Sequence, residues 1–140
     1  MVHNKKDVKF YKSIIVALVL VIVVAIMDYL TYPGAFYIYA FLLGAVASLI
    51  YYIFTTDLSE SLAVFLTFAI MYMFGLEDLV FYLFQFKIPS SMPHLYTHPV
   101  IGTIAKVFGE TVTPFILIYS VLIGGFLTTL LVVWLKKQEW

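Results

Sequence analysis

The sequence predicts an all-α integral membrane protein, a bundle of about four transmembrane helices with a short amphipathic interfacial helix between the third and fourth. Three observations predict it. The 140-residue chain is 64% hydrophobic and 11% charged, whereas soluble domains are about 45–50% apolar and about 25% charged. Its mean hydropathy is +1.04. Apolar runs of bilayer length recur between short polar interruptions. A water-soluble fold needs polar surface, and this composition does not supply it.

The residues form a single multi-pass domain over 1–140, opened by a basic tail at 1–12. The first apolar run, about 13–31, is long enough for the hydrocarbon core at 1.5 Å per residue. No small-residue cleavage pattern of the A-x-A type follows Met27, so the run reads as a retained helix. Tyr32-Pro33-Gly34 reads as a tight turn. The second span, about 35–55, ends at a polar stretch in which Asp57 or Ser59 can cap the next helix. The third runs from about 61 to 86 and is stopped by Pro89 and Pro93. The fourth, about 113–135, opens on Thr113-Pro114, a capping residue with proline in the first turn. Between them, 87–112 is the one long connection. There Val100, Ile101, Ile104, Val107 and Phe108 recur at helical spacing between Pro99 and Gly109, the pattern of a short interfacial helix.

Lysine placement predicts orientation. Lys5, Lys6, Lys9 and Lys12 precede the first span and Lys136 and Lys137 follow the last, against Lys87 and Lys106 in the other compartment. The positive-inside rule then makes both termini cytoplasmic and the 87–112 connection extracytoplasmic. Membrane lipid is the expected partner of the basic tail. Formal net charge is +0, so no basic field draws nucleic acid. With no cysteine, disulfides, thiolate metal sites and Cys nucleophiles are excluded. All eight basic residues are lysine, so no arginine fork is available for phosphate or carboxylate.

Small residues repeat every four positions on two spans: Ala40, Gly44 and Ser48 on the second, Ser120, Gly124 and Thr128 on the fourth. Such stripes let backbones approach where lipid removes the hydrophobic incentive to associate. They are expected to face other helices, each other included, or a partner membrane protein or second copy of the chain. Tyr29, Tyr32, Tyr37 and Tyr39, with Tyr51, Tyr52 and Trp134 at the other end, read as interfacial belts.

Ionisable groups within a span cost about 2.5–3.5 kcal/mol at the helix centre on insertion scales, which makes them the first place to seek function. Glu77 and Asp78 lie about two-thirds along the third span and Asp28 near the outer end of the first. His94, His98 and Glu110 belong to the outer connection. Acids and imidazoles from three segments thus fall at similar depth, and Asp28, Glu77 and Asp78 are the candidate catalytic residues. On a continuous helix, Glu77 and Asp78 would point about 100° apart, toward different partner helices. Asp78 would then share a stripe with Thr67, Met71, Phe74 and Gln85. His94 and His98, four apart, are candidate ligands for a divalent metal (zinc, iron or manganese), a set that needs no cysteine. Pro99, however, disfavours helical geometry at His98.

The segment Glu77-Asp78-Leu79-Val80-Phe81-Tyr82-Leu83-Phe84-Gln85 resembles the acidic-pair segment of membrane lycopene-cyclase-type carotenoid enzymes, where two acids are followed by aromatics and a glutamine on a transmembrane helix. The likeness covers about nine residues. That family usually has a proline shortly before a Glu pair, whereas Gly75-Leu76 precedes Glu77 here and the second acid is Asp78. The resemblance implies an acidic pair able to protonate a polyene within a bilayer. The expected function is therefore a small membrane enzyme acting on a lipid or isoprenoid at the outer leaflet. The alternatives are an assembly or lipid-binding subunit without catalysis, and a subunit coupled to proton or cation transport.

Overall fold

A computed structural model describes residues 5–31, 36–109 and 111–138. The Tyr32-Pro33-Gly34 turn and Glu110 lie outside the described residues, as do the side chains of Lys5, Lys6 and Tyr37. Every regular element described is helical: α1 (Lys5–Thr31), α2 (Phe36–Thr55), α3 (Leu58–Met73), α4 (Leu76–Phe84), a 3-10 turn (Pro93–Thr97), α5 (Ile101–Val107) and α6 (Pro114–Lys137). Three of them, α1, α2 and α6, are each long and apolar enough to cross a membrane, and the bent pair α3–α4 makes a fourth if it counts as one span.

The caps follow local chemistry. Asp57 accepts the backbone N–H of Glu60 at 3.1 Å and so opens α3. Thr113 accepts the Ile116 N–H at 3.4 Å, with Pro114 in the first turn of α6.

The third span is not the continuous helix expected over 61–86. It breaks at Phe74-Gly75, and α3 and α4 diverge by 65°. Gly75 adopts φ +95°, a left-handed conformation that costs residues with a Cβ about 1–2 kcal/mol. The freed backbone groups find partners. The Phe74 N–H still bonds the Ile70 carbonyl at 2.9 Å, and the Ser120 hydroxyl donates to the Phe74 carbonyl at 2.7 Å. A polar side chain from α6 thus satisfies a helix end that would otherwise be left unpaired.

Helix α3 sits at the centre, packed against α1, α2 and α6. The two small-residue stripes do not meet each other; both face α3. From α2, Ala40 enters the cluster around Phe68, Met71 and Tyr72. Gly44 lies beneath Phe68, so near that an added Cβ would stand 2.5 Å from its ring. The Ser48 hydroxyl lies 2.9 Å from the Ser61 hydroxyl, and each also bonds the other's backbone carbonyl. From α6, Gly124 lies beneath Phe74, with Ser120 and Thr128 buried one turn to either side. Gly44→Ala should cost about 1–3 kcal/mol through overpacking. Reversible unfolding in mixed micelles checks it, and a loss below about 0.3 kcal/mol would contradict the tight α2–α3 contact.

The opposite faces are oily and exposed. Helix α2 presents Ile38, Leu42, Val46, Leu49 and Ile53 outward, and α6 presents Phe115, Tyr119, Leu122, Phe126 and Leu130. The ends of α1 and α6 meet: the Lys136 ammonium lies 5.9 Å from the Phe10 ring centre and 5.7 Å from that of Tyr11.

The 87–112 connection folds back over α4 and α6. The Met92 N–H donates to the Val112 carbonyl at 2.8 Å, closing it into a loop. Met92, Leu95, Ile101, Ala105 and Val112 pack with Tyr82, Ile116 and Leu117. The expected interfacial helix exists as α5, with a different buried face. Ile101, Gly102 and Ala105 point inward, while Val107 and Phe108 are exposed. Gly102 decides this, because the Tyr96 carbonyl crosses so close that no Cβ fits there.

Candidate functional site

The helix break sets the geometry of the acids. Because α4 begins at Leu76, Glu77 and Asp78 occupy its first turn rather than the body of a long helix. Free backbone N–H groups and the positive end of the helix dipole favour carboxylates there. The stripe expected to join Asp78 to Thr67, Met71 and Phe74 is cut by the bend; Met71 and Phe74 lie against Gly124 of α6 instead.

Both acids are directed toward α1. Helix α1 packs along α4, which brings Asp28 near the end of α1 close enough to Glu77 and Asp78 for the three carboxyls to interact. They were expected to address different helices; the observed convergence on Asp28 follows from the 65° turn of α4 toward α1. Tyr29 meets Phe81 edge-to-face at 6.1 Å and holds the end of α1 against α4. Glu77 is buried at 6% exposure, and its Oε1 has no partner among the described residues. Asp28 and Asp78 are half-buried, and Met27, Tyr29 and Leu30 beside Asp28 are exposed. The cluster therefore runs from the bundle interior to its apolar outer surface.

The histidines do not join it. The five-residue segment Pro93–Thr97 is a 3-10 turn. At three residues per turn, positions four apart lie about a third of a turn off one face. His94 Nε2 lies 2.9 Å from the Tyr82 hydroxyl. His98 Nδ1 accepts the backbone N–H groups of Val100 and Ile101, each at 3.2 Å, and so caps α5 with its ring. No group of three His, Asp or Glu side chains that could hold a metal ion occurs among the described residues. The imidazoles expected to bind zinc, iron or manganese are instead engaged by a phenol and a helix start.

Burial pushes the His98 imidazole below its ordinary value of 6.5. Its capping role requires an unprotonated Nδ1, so both effects favour the neutral ring. With the folded-state value depressed, the stabilisation is complete above about pH 6.5 and is lost as pH falls through that value, where only the unfolded chain takes up the proton. Unfolding midpoints at pH 7.5 and pH 5.5 should differ in this direction. His98→Asn, which can still cap, should show less of the difference; an equal pH response in both proteins would contradict it.

Three features were missed from sequence. Tyr82 holds His94. Thr67 and Thr128 bury hydroxyls with no partner among the described residues. Lys9 pairs with Asp57 at 3.6 Å and Glu60 at 3.8 Å, and the Tyr51 hydroxyl donates to Glu60 at 2.8 Å. Only the last had a signal, two acids closely following an aromatic pair.

Comparison with protein-family models, curated proteins and solved structures finds no match for this chain.

Proposed function

We propose that this chain is a multi-pass membrane enzyme, both termini cytoplasmic, whose Asp28, Glu77 and Asp78 carboxyls move protons on a lipid or isoprenoid at the outer-leaflet boundary. The membrane assignment is supported by the outward stripes of α2 and α6, which a soluble protein of this size would hide. The orientation is supported by six lysines at the end where α1 begins and α6 finishes. A partner chain recognised through the Gly44 and Gly124 stripes has less support, since α3 occupies both.

The observation that carries the reading is the group of three carboxyls at the junction of α1 and α4, which reaches the apolar surface through Asp28. An uncharged isoprenoid chain offers double bonds, and a carboxylic acid can begin chemistry on one by adding a proton to it. One carboxyl would donate that proton to one alkene carbon, leaving the positive charge on the other, and a neighbouring carboxylate would remove a proton from the next carbon beyond that charge. The double bond shifts, and nothing is oxidised or reduced. Positioned acid–base groups give about 10²–10⁴-fold in rate.

The test is deuterium transfer. Purified protein in detergent, incubated in D2O with a panel of polyprenols and linear polyenes, should place solvent deuterium on carbon, read by mass spectrometry. Asp28→Asn should abolish the incorporation while leaving the protein monodisperse. Absence of label with every substrate, or equal label from Asp28→Asn, would reject the proposal.

A further inference from the structure

The end of the bundle opposite the carboxyls contains an open cavity of about 690 Å³. It lies where the start of α1, the turn between α2 and α3, and the end of α6 converge, and its volume falls within the ligand-site range of about 300–1,000 Å³. Its polar lining carries both signs in separate places. On one side are Asp57 and Glu60, with Lys9 paired to both; on the other is Lys136, held over the Phe10 and Tyr11 rings.

Two carboxylates against one ammonium leave the first side with a net negative charge. Glu60 is buried, and its Oε2 is fixed by Tyr51. Asp57 is fixed by its bond to the start of α3. Both carboxylates are thus held in place, while the Lys9 chain that spans them is about half exposed. The Lys136 wall is positive. The floor between them is apolar, with Phe10 and Leu135 both buried. From the rim of the cavity, Tyr11, Ile15 and Val19 form an exposed stripe along α1 at spacings of four residues.

We infer that this cavity holds the headgroup of an aminophospholipid such as phosphatidylethanolamine. The primary ammonium bonds Asp57 and Glu60, the phosphate lies against Lys136, and an acyl chain follows the α1 stripe. Charge separation selects the occupant. A purely anionic headgroup meets two carboxylates, and a quaternary ammonium has no N–H to give them. The site is distinct from the carboxyl cluster and rests only on the chain residing in a bilayer, not on any proton transfer.

Native mass spectrometry of the full-length protein, delipidated in detergent and titrated with phosphatidylethanolamine, phosphatidylcholine or phosphatidylglycerol, tests it. One phosphatidylethanolamine per chain should be retained at about tenfold lower concentration than either competitor. Glu60→Gln keeps the Tyr51 contact and should remove most of that preference; Lys136→Met should weaken retention of phosphatidylethanolamine about tenfold. Equal retention of the three lipids, a preference for phosphatidylglycerol, or unchanged binding by both variants would overturn the inference. Saturation by soluble glycerophosphoethanolamine at the same concentration would also overturn it, because no membrane lipid would then be needed. Carbonate extraction of the cell membranes is the separate control: release of the chain would reject the membrane assignment, whereas retention with no lipid preference would reject this site alone.

Discussion

Glu77→Gln is expected to lower deuterium transfer to an isoprenoid by about 10²–10⁴-fold, the range assigned to one positioned acid–base group. Glutamine occupies nearly the same volume, so the packed junction of α1 and α4 should persist. It cannot release a proton at neutral pH. Because Glu77 is buried with one oxygen unpartnered, the amide adds an N–H donor where an acceptor stood. Local stability should change by only about 1–3 kcal/mol, whereas turnover collapses. The measurement is a pair of readings on one preparation, label on carbon and the unfolding midpoint. A midpoint that falls in proportion to activity would instead make Glu77 a structural pin. Activity within threefold of the parent would remove it from the chemistry.

Gly75→Ala should be strongly destabilising. The left-handed backbone alone costs about 1–2 kcal/mol. The new Cβ would also lie 2.7 Å from Leu117 and 2.8 Å from Ile101, side chains of α6 and α5 that must both move, adding about 1–3 kcal/mol. A total loss of about 2–5 kcal/mol is expected from reversible denaturant titration. Activity should fall as well, since relaxing the backbone at residue 75 straightens α3 onto α4 and carries Glu77 and Asp78 away from Asp28. A loss below about 0.5 kcal/mol would mean that packing from α5 and α6 does not fix the bend.

The helices were legible because bilayer-length hydropathy is written residue by residue, as were the caps at Asp57 and Thr113, which depend only on neighbours in sequence. Gly75 was not. Apart from Glu77 and Asp78, the apolar pattern runs from Met71 through Phe84, and a glycine in such a run is tolerated as helix; the side chains that hold its positive φ, Ile101 and Leu117, are distant in sequence. The small-residue stripes announced close approach without naming what approaches, so α3 could not be identified as their common partner. The meeting of Asp28 with Glu77 and Asp78 could be suspected from depth alone, and it required the bend to bring them together. His98 misled because two imidazoles four apart suggest a metal, while a ring nitrogen acting as a helix cap leaves no pattern in the sequence.

The central placement of α3 has a consequence for biogenesis. As the ribosome delivers the chain, α1 and α2 emerge before α3, and these two scarcely touch each other in the finished protein. The Ser48 hydroxyl gains Ser61 as its partner only thirteen residues later. Until the third segment packs between them, the nascent pair leaves Gly44 uncovered and the Ser48 hydroxyl without Ser61. Truncation after α2 should therefore leave two helices that the quality-control proteases of the membrane degrade, whereas a chain extended through α3 should persist.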